Sequence, residues 1–275
     1  HASFYMLGAY VAYAVSSVFG FWAGIAVAPI VVGLAGMAVE RFLLPRVHAH
    51  GHAHELLLTF GLALIIEELI KLFFGDFPVN YQMPSEMRFA AFSVFGADYP
   101  FYRLFIGAVS AVMFTALWLL LTRTRTGIVV RAAERLPTMA EALGHNIPRV
   151  FMFVFGTGAA LAGLAGAVAG AFYPTNPNMG IELGVIVFVV VVVGGLGSLK
   201  GSLVASLLIG LFSSFAIGLD WSLASLLAPV GLGDWARSIG GLMTLELSSI
   251  SATIPFALML IVLLVRPAGL MGERN

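Results

Sequence analysis

Long apolar stretches separated by short polar breaks run along the whole chain. Several of them reach the roughly 20 apolar residues that an α-helix needs to cross about 30 Å of hydrocarbon. Backbone groups in lipid must pair within their own segment, so helices are the expected structure. The pattern predicts about eight membrane helices, at residues 3–18, 21–40, 55–74, 101–122, 148–172, 182–196, 202–218 and 248–266.

The start of the chain and its longest breaks add to this picture. The opening "HASFYMLGAYVAYAV" begins with His1 and is typical of the interior of a membrane segment, unlike a signal peptide with a charged start. We therefore expect the natural N-terminus to lie upstream, with at least one further helix there. The breaks at 75–100 and 219–247 hold Pro, Trp and Tyr, which is typical of segments that lie at the membrane interface or re-enter it.

Composition excludes a soluble fold. Apolar residues make up 60% of the 275 positions and charged residues only 10%, and the mean hydropathy is +1.00. The sequence predicts an all-α, polytopic transmembrane helical bundle that forms a single membrane domain over residues 1–275. The net charge of zero gives no indication of a nucleic-acid partner. The absence of cysteine excludes disulfides, iron–sulfur clusters, thiolate zinc sites and cysteine nucleophiles.

Basic residues are distributed unevenly between the two sets of loops. If successive loops alternate sides, one side receives ten Lys and Arg residues and the other receives four. The positive-inside rule then makes the loops at 41–54, 123–147 and 197–201, together with the C-terminus, cytoplasmic. The ten residues are Arg41, Arg46, Arg123, Arg125, Arg131, Arg135, Arg149, Lys200, Arg266 and Arg274.

The basic loop at 123–147 is longer than a simple connection requires. Thr138 and Glu141 have the T-x-x-E spacing of a capping box, and Gly144 follows where a left-handed residue would end a helix. A helix of little more than one turn is unstable alone in water, so another element must hold it. Met139, Ala142 and Leu143 share a face, which favours docking into a partner's groove; a capped turn lying on the membrane is the alternative.

Glycines interrupt the chain between the helices predicted at 182–196 and 202–218. The stretch "GGLGSLKG" has neither the spacing of a P-loop nor that of a dinucleotide-binding fingerprint, and it joins two membrane helices, so a nucleotide site is excluded. A gate or hinge and a tight helical hairpin both remain open interpretations. The glycines concerned are Gly194, Gly195, Gly197 and Gly201.

Another set of glycines forms a smooth stripe on the helix predicted at 148–172. Gly163, Gly166 and Gly170 are spaced three and four residues apart. Small residues at this spacing let helix backbones approach closely, so the stripe predicts helix packing. A glycine-lined substrate path is the alternative.

Three charges lie within the helix predicted at 55–74. Ionisable groups inside a membrane are costly and are usually functional. Lys71 follows Glu67 by four residues and Glu68 by three, so it can pair with either carboxylate. The trio is therefore interpreted as an ion-pair cluster near the outer interface, or as part of the transport pathway or of a contact with a partner subunit.

Alternating histidines precede the same helix. Neighbouring pairs of these imidazoles have a spacing that can bind a divalent ion, but no carboxylate or cysteine cluster completes the set. The pattern favours a solvated loop over a metal site. The sequence has no H-E-x-x-H motif, no nucleophile elbow and no paired aspartates in adjacent helices, so nothing in it indicates an enzyme. The histidines are His48, His50, His52 and His54.

Several stretches together resemble one transporter family. "EALG" at 141–144, after a basic run, is similar to the coupling loop by which permeases of ABC importers bind their ATPase. "HASFYMLGAYVAY" (1–13), "LLLTFGLALIIEEL" (56–69), "VVVVVGGLGSLKGSLVASLLIG" (189–210) and "RPAGLMGE" (266–273) are similar to branched-chain amino acid ABC transporter permeases. The first and third of these favour the LivH-like subunit over its LivM-like companion.

This resemblance implies a permease subunit of an ATP-driven importer in a bacterial inner membrane. It implies a second, LivM-like permease, two ATPase subunits that hold ATP and Mg, and an external substrate-binding protein, with no cofactor bound by this chain. The residues that would contact the ATPase are Thr138, Met139, Glu141, Ala142, Leu143 and Gly144. An ion-coupled transporter or channel that uses Glu67 or Glu68 is the alternative function, and urea, short amides or small aromatic acids are alternative substrates.

Overall fold

The computed structural model describes residues 1–48, 51–94, 97–218 and 247–272. Its helices are α1 (Ala2–Phe19), α2 (Phe21–Phe42), α3 (Pro45–His48), α4 (His52–Phe74), α5 (Phe101–Arg123), α6 (Arg125–Arg135), α7 (Pro137–Ala142), α8 (Ile147–Ala169), α9 (Met179–Gly194), α10 (Leu199–Gly218) and α11 (Ile254–Val265). Strands β1 (Ala90–Val94) and β2 (Ala97–Pro100) lie between α4 and α5, and 3₁₀ turns cover Ser85–Met87 and Leu247–Thr253.

Each of the eight predicted membrane segments contains an α-helix. Among the described residues, five helices are long and apolar enough to cross a membrane: Ala2–Phe19, Phe21–Val47, Phe101–Arg123, Ile147–Ala169 and Leu199–Gly218. α4 is 23 residues long but carries three charges in its second half, and α9 and α11 are apolar but have only 16 and 12 residues. The predicted break at 219–247 lies almost wholly outside the described residues.

The chain divides into two compact units, His1–Gly184 and Val185–Asn275. Helices α1, α2 and α8 pack together at the centre of the first unit. The predicted stripe of Gly163, Gly166 and Gly170 faces this contact. A Cβ at Gly166 would overlap the Tyr5 carbonyl oxygen of α1, and one at Gly163 would lie 2.8 Å from the Val32 Cβ of α2. Small residues therefore bring three backbones together, which is the helix-packing role.

The connection between α4 and α5 contains an antiparallel hairpin that the sequence analysis did not predict. Phe92 of β1 pairs with Tyr99 of β2, and the two rings stack with centroids 5.0 Å apart. The Phe89 and Phe101 rings stack at 4.7 Å at the base of the hairpin. Aromatic cross-strand pairs of this kind stabilise a short two-stranded sheet that would be marginal alone.

Two buried tyrosines connect this region to the C-terminal end of α8. The Tyr81 hydroxyl donates to the Ala167 carbonyl at 2.9 Å, and the Tyr102 hydroxyl donates to the Val168 carbonyl at 2.7 Å. Both carbonyls belong to the last turn of α8, where no intrahelical partner exists. Burial raises the pKa of Tyr81, so this phenol keeps its proton and its hydrogen bond through mildly alkaline pH.

We expect Tyr81→Phe and Tyr102→Phe each to destabilise the protein by about 1–3 kcal/mol, because each leaves a buried carbonyl without its donor. Tyr10 of α1 is the matched control, since it is fully buried and its hydroxyl has no hydrogen-bond partner among the described residues. Tyr10→Phe should leave the stability unchanged or slightly raised. Thermal unfolding of the three purified variants in detergent measures this difference. Equal melting temperatures for all three would contradict it.

The second unit has its own apolar core. Its four buried residues, on α9 and α10, are surrounded by residues of α11 and of the segment that follows α11. The buried residues are Val189, Val193, Ala205 and Ile209, and the surrounding ones include Leu258, Met259, Val262 and Leu270. The described end of the chain is thus a packed part of this unit.

Candidate functional site

The polar segment between α5 and α8 folds back on the end of α5. The Thr124 Oγ1 caps α6 by accepting from the Gly127 amide at 3.1 Å. A Cβ at Gly127 would overlap the carbonyl oxygens of Leu120 and Leu121, so only glycine permits this close return. The Arg131 guanidinium donates to the Leu121 carbonyl. Backbone contact and this hydrogen bond therefore fix α6 to the end of α5.

The N-terminus of α7 differs from the predicted capping box. Leu136 is its N-cap, Pro137 is its first residue, and no side chain of the described residues caps this end. Thr138 lies inside the helix, so the predicted capping box between Thr138 and Glu141 is wrong. The fixed φ of proline suits the first helical position, where its missing N–H is not needed, and this explains the earlier start.

The C-terminus of α7 is closed at the residue that the sequence predicts. Gly144 has a φ of +88°, a left-handed conformation that favours glycine. Its amide donates to the Glu141 carbonyl at 2.8 Å, and the His145 amide donates to the Ala140 carbonyl at 3.1 Å. This pair of bonds is a Schellman motif, and it satisfies two of the last carbonyls of the helix. The short helix therefore ends in a fixed geometry.

One face of α7 is anchored within the chain. Ala140 is only 2% exposed and packs with the buried residues Ala133 of α6 and Ile147 of α8. Val150 and Phe151 of α8 cover the same contact. A helix of six residues would be unstable by itself, and these contacts show that α6 and α8 hold it in place.

The other face of α7 is bare and apolar. Leu136, Met139 and Leu143 are 57%, 62% and 80% exposed, and their spacing of three and four places them along one side of the helix. We call these three residues the exposed stripe. Ala142 is also exposed beside them. Among the described residues, nothing buries the predicted face of Met139, Ala142 and Leu143, as a docking surface requires.

A charged cleft of about 540 Å³ lies next to α7. Its lining includes Glu141 of α7, Arg149 of α8, and Glu40 and Arg41 of α2. Glu40 is 7% exposed and is thus a buried carboxylate. The cleft offers both signs of charge beside the apolar stripe, so a partner would meet polar and apolar surface together.

The glycine-rich break between α9 and α10 is a tight hairpin. A Cβ at Gly194 would lie 2.5 Å from the Ser202 amide nitrogen, and one at Gly201 would overlap the Gly194 carbonyl oxygen. The Ser198 Oγ accepts from the Gly201 amide at 3.0 Å, at the start of α10. Gly195 and Gly197 have φ values of +99° and +81°. This geometry favours the hairpin interpretation, and hinge motion here stays a prediction.

The three charges of α4 form a cluster. The Lys71 Nζ lies 2.7 Å from a Glu67 carboxylate oxygen and 3.0 Å from a Glu68 carboxylate oxygen. Glu67 is buried, whereas 73% of the Glu68 side chain is exposed. One ammonium group thus neutralises two carboxylates only in part. The pairing is present as predicted, and the choice between a structural role and a pathway role stays open.

The histidine-rich segment is only partly described. His50 lies outside the described residues, and His54 is an exposed residue in the first turn of α4. Within the described ranges, no three His, Asp or Glu residues come close enough to hold a metal ion. His48 is the last residue of α3, and His52 and His54 lie in α4, so the predicted loop at 41–54 is partly helical. Whether the segment binds a metal stays a prediction.

Residues 1–263 match the protein family described as the branched-chain amino acid transport system, permease component. The chain belongs to this family. The permease is 24% identical over 286 residues to the high-affinity branched-chain amino acid transport system permease protein BraD of Pseudomonas aeruginosa, across 99% of this chain and 85% of that protein. It is 25% identical over 286 residues to LivH of Escherichia coli K12, across 99% of this chain and 84% of that protein.

A more distant relative is the probable permease protein LivH of Methanocaldococcus jannaschii, 25% identical over 223 residues, which are 77% of this permease and 69% of that protein. No solved structure matches the permease. The predicted resemblance to LivH-like permeases is thereby confirmed. The permease is a multi-pass membrane protein and a transport subunit, and it is not an enzyme.

Two contributors to the site were missed by the sequence analysis. Leu136 precedes Pro137 and extends the apolar spacing of Met139 and Leu143 by one step, so the sequence does contain a signal for it. Ala140 is the anchor of α7 on the rest of the chain. The sequence carries no sign of this contact, because nothing near Ala140 in the chain shows which face of the short helix would be buried.

Proposed function

We propose that this permease is one membrane subunit of an ATP-driven importer for branched-chain or closely related amino acids. The names of its relatives, at about 25% identity over nearly the whole chain, support this substrate class. In this proposal the permease lies in a bacterial inner membrane beside a second, LivM-like permease. A soluble binding protein delivers the substrate, and two ATPase subunits with ATP and Mg supply the energy.

The observation that carries the proposal is the exposed stripe on an anchored helix. Burying a Leu or Met side chain contributes about 1.5–3 kcal/mol, so leaving Met139 and Leu143 in water forgoes a substantial stabilisation. A short amphipathic helix that enters a hydrophobic groove is a common way to recover it. Because the positive-inside bias predicts a cytoplasmic location, the partner that we propose for this stripe is an ATPase subunit.

The contacts of α7 suggest how movement would pass from the ATPase into the membrane. Ala140 packs on Ile147 at the start of α8, and α8 packs closely on α1 and α2 through its small residues. Movement of the bound ATPase subunits would displace α7 and α8 together. The permease would then alternate between outward-open and inward-open states, which ATP binding and hydrolysis populate in turn.

Transport by the reconstituted complex tests this proposal. The permease is purified with its partner subunits from native membranes and placed in proteoliposomes with its binding protein outside and ATP inside. We expect leucine, isoleucine or valine uptake that requires ATP and persists when a protonophore removes the proton gradient.

Two results would overturn the proposal. Uptake without any ATPase subunit that collapses with the proton gradient would establish an ion-coupled transporter, with Glu67 and Glu68 as the first residues to test. ATP-driven uptake of urea, short amides or small aromatic acids, with no uptake of branched-chain amino acids, would retain the importer and replace the substrate.

A further inference from the structure

The segment after α11 turns back onto the C-terminal end of α9. Gly269 has a φ of +81°, and its amide donates to the Arg266 carbonyl at 2.9 Å, so the chain reverses there. The Leu270 amide then donates to the Val193 carbonyl at 2.8 Å, and the Met271 amide donates to the Gly194 carbonyl at 3.1 Å. We call residues 266–272 the strap.

These bonds complete the end of α9. The last four carbonyls of a helix have no intrahelical donors, and residues just after the helix normally supply them. In α9, the Gly195 amide donates to the Val191 carbonyl at 3.0 Å, which is this usual arrangement. Val193 and Gly194 receive their donors instead from the strap, at the other end of the second unit's sequence. The strap is thus the C-cap of a helix from which it is remote in sequence.

Glycine makes the approach possible on both sides. A Cβ at Gly195 would lie 2.5 Å from the Gly272 amide nitrogen, and a Cβ at Gly269 would lie 2.5 Å from the Gly195 Cα. Real Cβ atoms do not approach backbone this closely, so either substitution would force the strap away. The turn and the strap therefore touch backbone to backbone.

The strap is also anchored by a side chain. Leu270 packs against the core of α9 and α10, with Val262 of α11 beside it. The Arg266 guanidinium donates to the Leu270 carbonyl at 3.3 Å, which closes the strap on itself. Hydrogen bonds at the backbone and apolar packing at the side chain thus hold the same residue.

We propose that the strap is a lock that joins the C-terminal end of α9, the start of α10 and the end of α11 into one rigid body. The glycines of the 194–201 turn then serve close packing, and the permease does not bend at this turn during transport. Such a lock would act with any substrate and any energy source, so it goes beyond the proposed function.

Hydrogen exchange in the intact permease in nanodiscs tests the lock. We expect the strap amides of the wild type to exchange about 100-fold more slowly than in an unstructured peptide of the same sequence, because they are bonded within a packed unit. Gly195→Ala and Gly269→Ala should remove this protection. Gly197→Ala has a similar left-handed strain, and Gly210→Ala of α10 has none; at both positions no described residue would lie within 4 Å of the new Cβ, so both variants should keep the protection.

Exchange at the unstructured rate in the wild type would overturn the proposal. Equal protection in Gly195→Ala and Gly210→Ala would overturn it as well. Neither readout uses transport, so both are independent of the proposed function.

A cross-link distinguishes a permanent lock from a strap that opens. The chain has no native cysteine, so Leu196→Cys and Met271→Cys, both at exposed positions, create the only thiol pair in this chain. We expect a short, cleavable thiol cross-linker to join them and leave the initial rate of ATP-driven uptake within about twofold of the uncross-linked variant. Uptake that stops on cross-linking and returns on cleavage would show that the strap opens, and would overturn the lock.

Discussion

Gly166→Ala is expected to lower the stability of the permease by about 3 kcal/mol or more, the upper range for overpacking. The added methyl group would overlap the Tyr5 carbonyl oxygen, and it would lie 2.8 Å from the Tyr5 carbonyl carbon and 3.1 Å from the Ala9 amide nitrogen. All of these atoms are backbone atoms of α1, so no side chain can rotate away. The two helices must separate, which exposes the core around Val32 and Phe4.

Thermal unfolding of the purified variant in detergent measures this effect. A loss of this size corresponds to a fall in Tm of about 10 °C for a chain of this length. Gly107→Ala of α5 is the matched control, because no described residue lies within 4 Å of the Cβ it would introduce. That control should unfold at or slightly above the wild-type temperature, since alanine favours a helix over glycine. A Gly166→Ala protein that melts with the control would refute the close packing of α1 and α8.

The double variant Met139→Glu, Leu143→Glu is expected to bind the ATPase subunit about 100-fold more weakly and to lose most ATP-driven uptake. Two apolar side chains are removed from the proposed contact, and two carboxylates would have to enter it without water. Insertion and melting temperature should be unchanged, because both positions are exposed in the free permease. Affinity is measured between the permease in nanodiscs and the isolated ATPase subunit.

Two controls separate a lost contact from a lost fold. Ala132→Glu adds a charge to an exposed position of the neighbouring helix α6, outside the exposed stripe and outside the predicted ATPase contact, so binding should change less than about threefold. Ala140→Glu buries a carboxylate at the anchor of α7, so it should lower the melting temperature as well as binding. Normal affinity and coupled uptake in the double variant would refute the role proposed for α7.

The positions of the membrane helices could be predicted because their signal is long and redundant. α1, α2, α4 and α5 begin and end within three residues of the predicted limits. The prediction for 248–266 was less accurate, because a 3₁₀ turn precedes α11 and Pro255 in the first turn of α11 favours a later start. Sidedness rests on the charge bias alone and stays a prediction.

Local features with short or ambiguous signals were harder to predict. The hairpin was missed because two strands of five and four residues within a polar connection give little alternation to detect. The capping box failed because Pro137 specifies the helix start more strongly than Thr138. Gly144 was correctly assigned as the helix stop. Glycine adopts the left-handed conformation at a helix end most readily, and Asn146-Ile147-Pro148 starts the next helix two residues later.

A single sequence carries no signal for hydrogen bonds between backbone segments that are far apart in the chain. "GGLGS" and "RPAGLMG" both stand out as glycine-rich, yet nothing in either stretch shows that Val193 and Leu270 share a hydrogen bond. Such bonds depend on where the helices place the chain and not on the identity of the bonded side chains. The single-domain prediction for residues 1–275 likewise stays a prediction beside the two compact units.

Because α8 is long, a small tilt of this helix would displace both of its ends by several ångströms. Its 23 residues span about 34 Å, so a rotation of about 10° around the midpoint would swing each end by about 3 Å in opposite directions. The N-terminal end follows α7, and the C-terminal end carries the two carbonyls that accept hydrogen bonds from Tyr81 and Tyr102. A displacement of the N-terminal end of α8 by α7 would therefore also displace the aromatic hairpin region at its C-terminal end, about one bilayer thickness away.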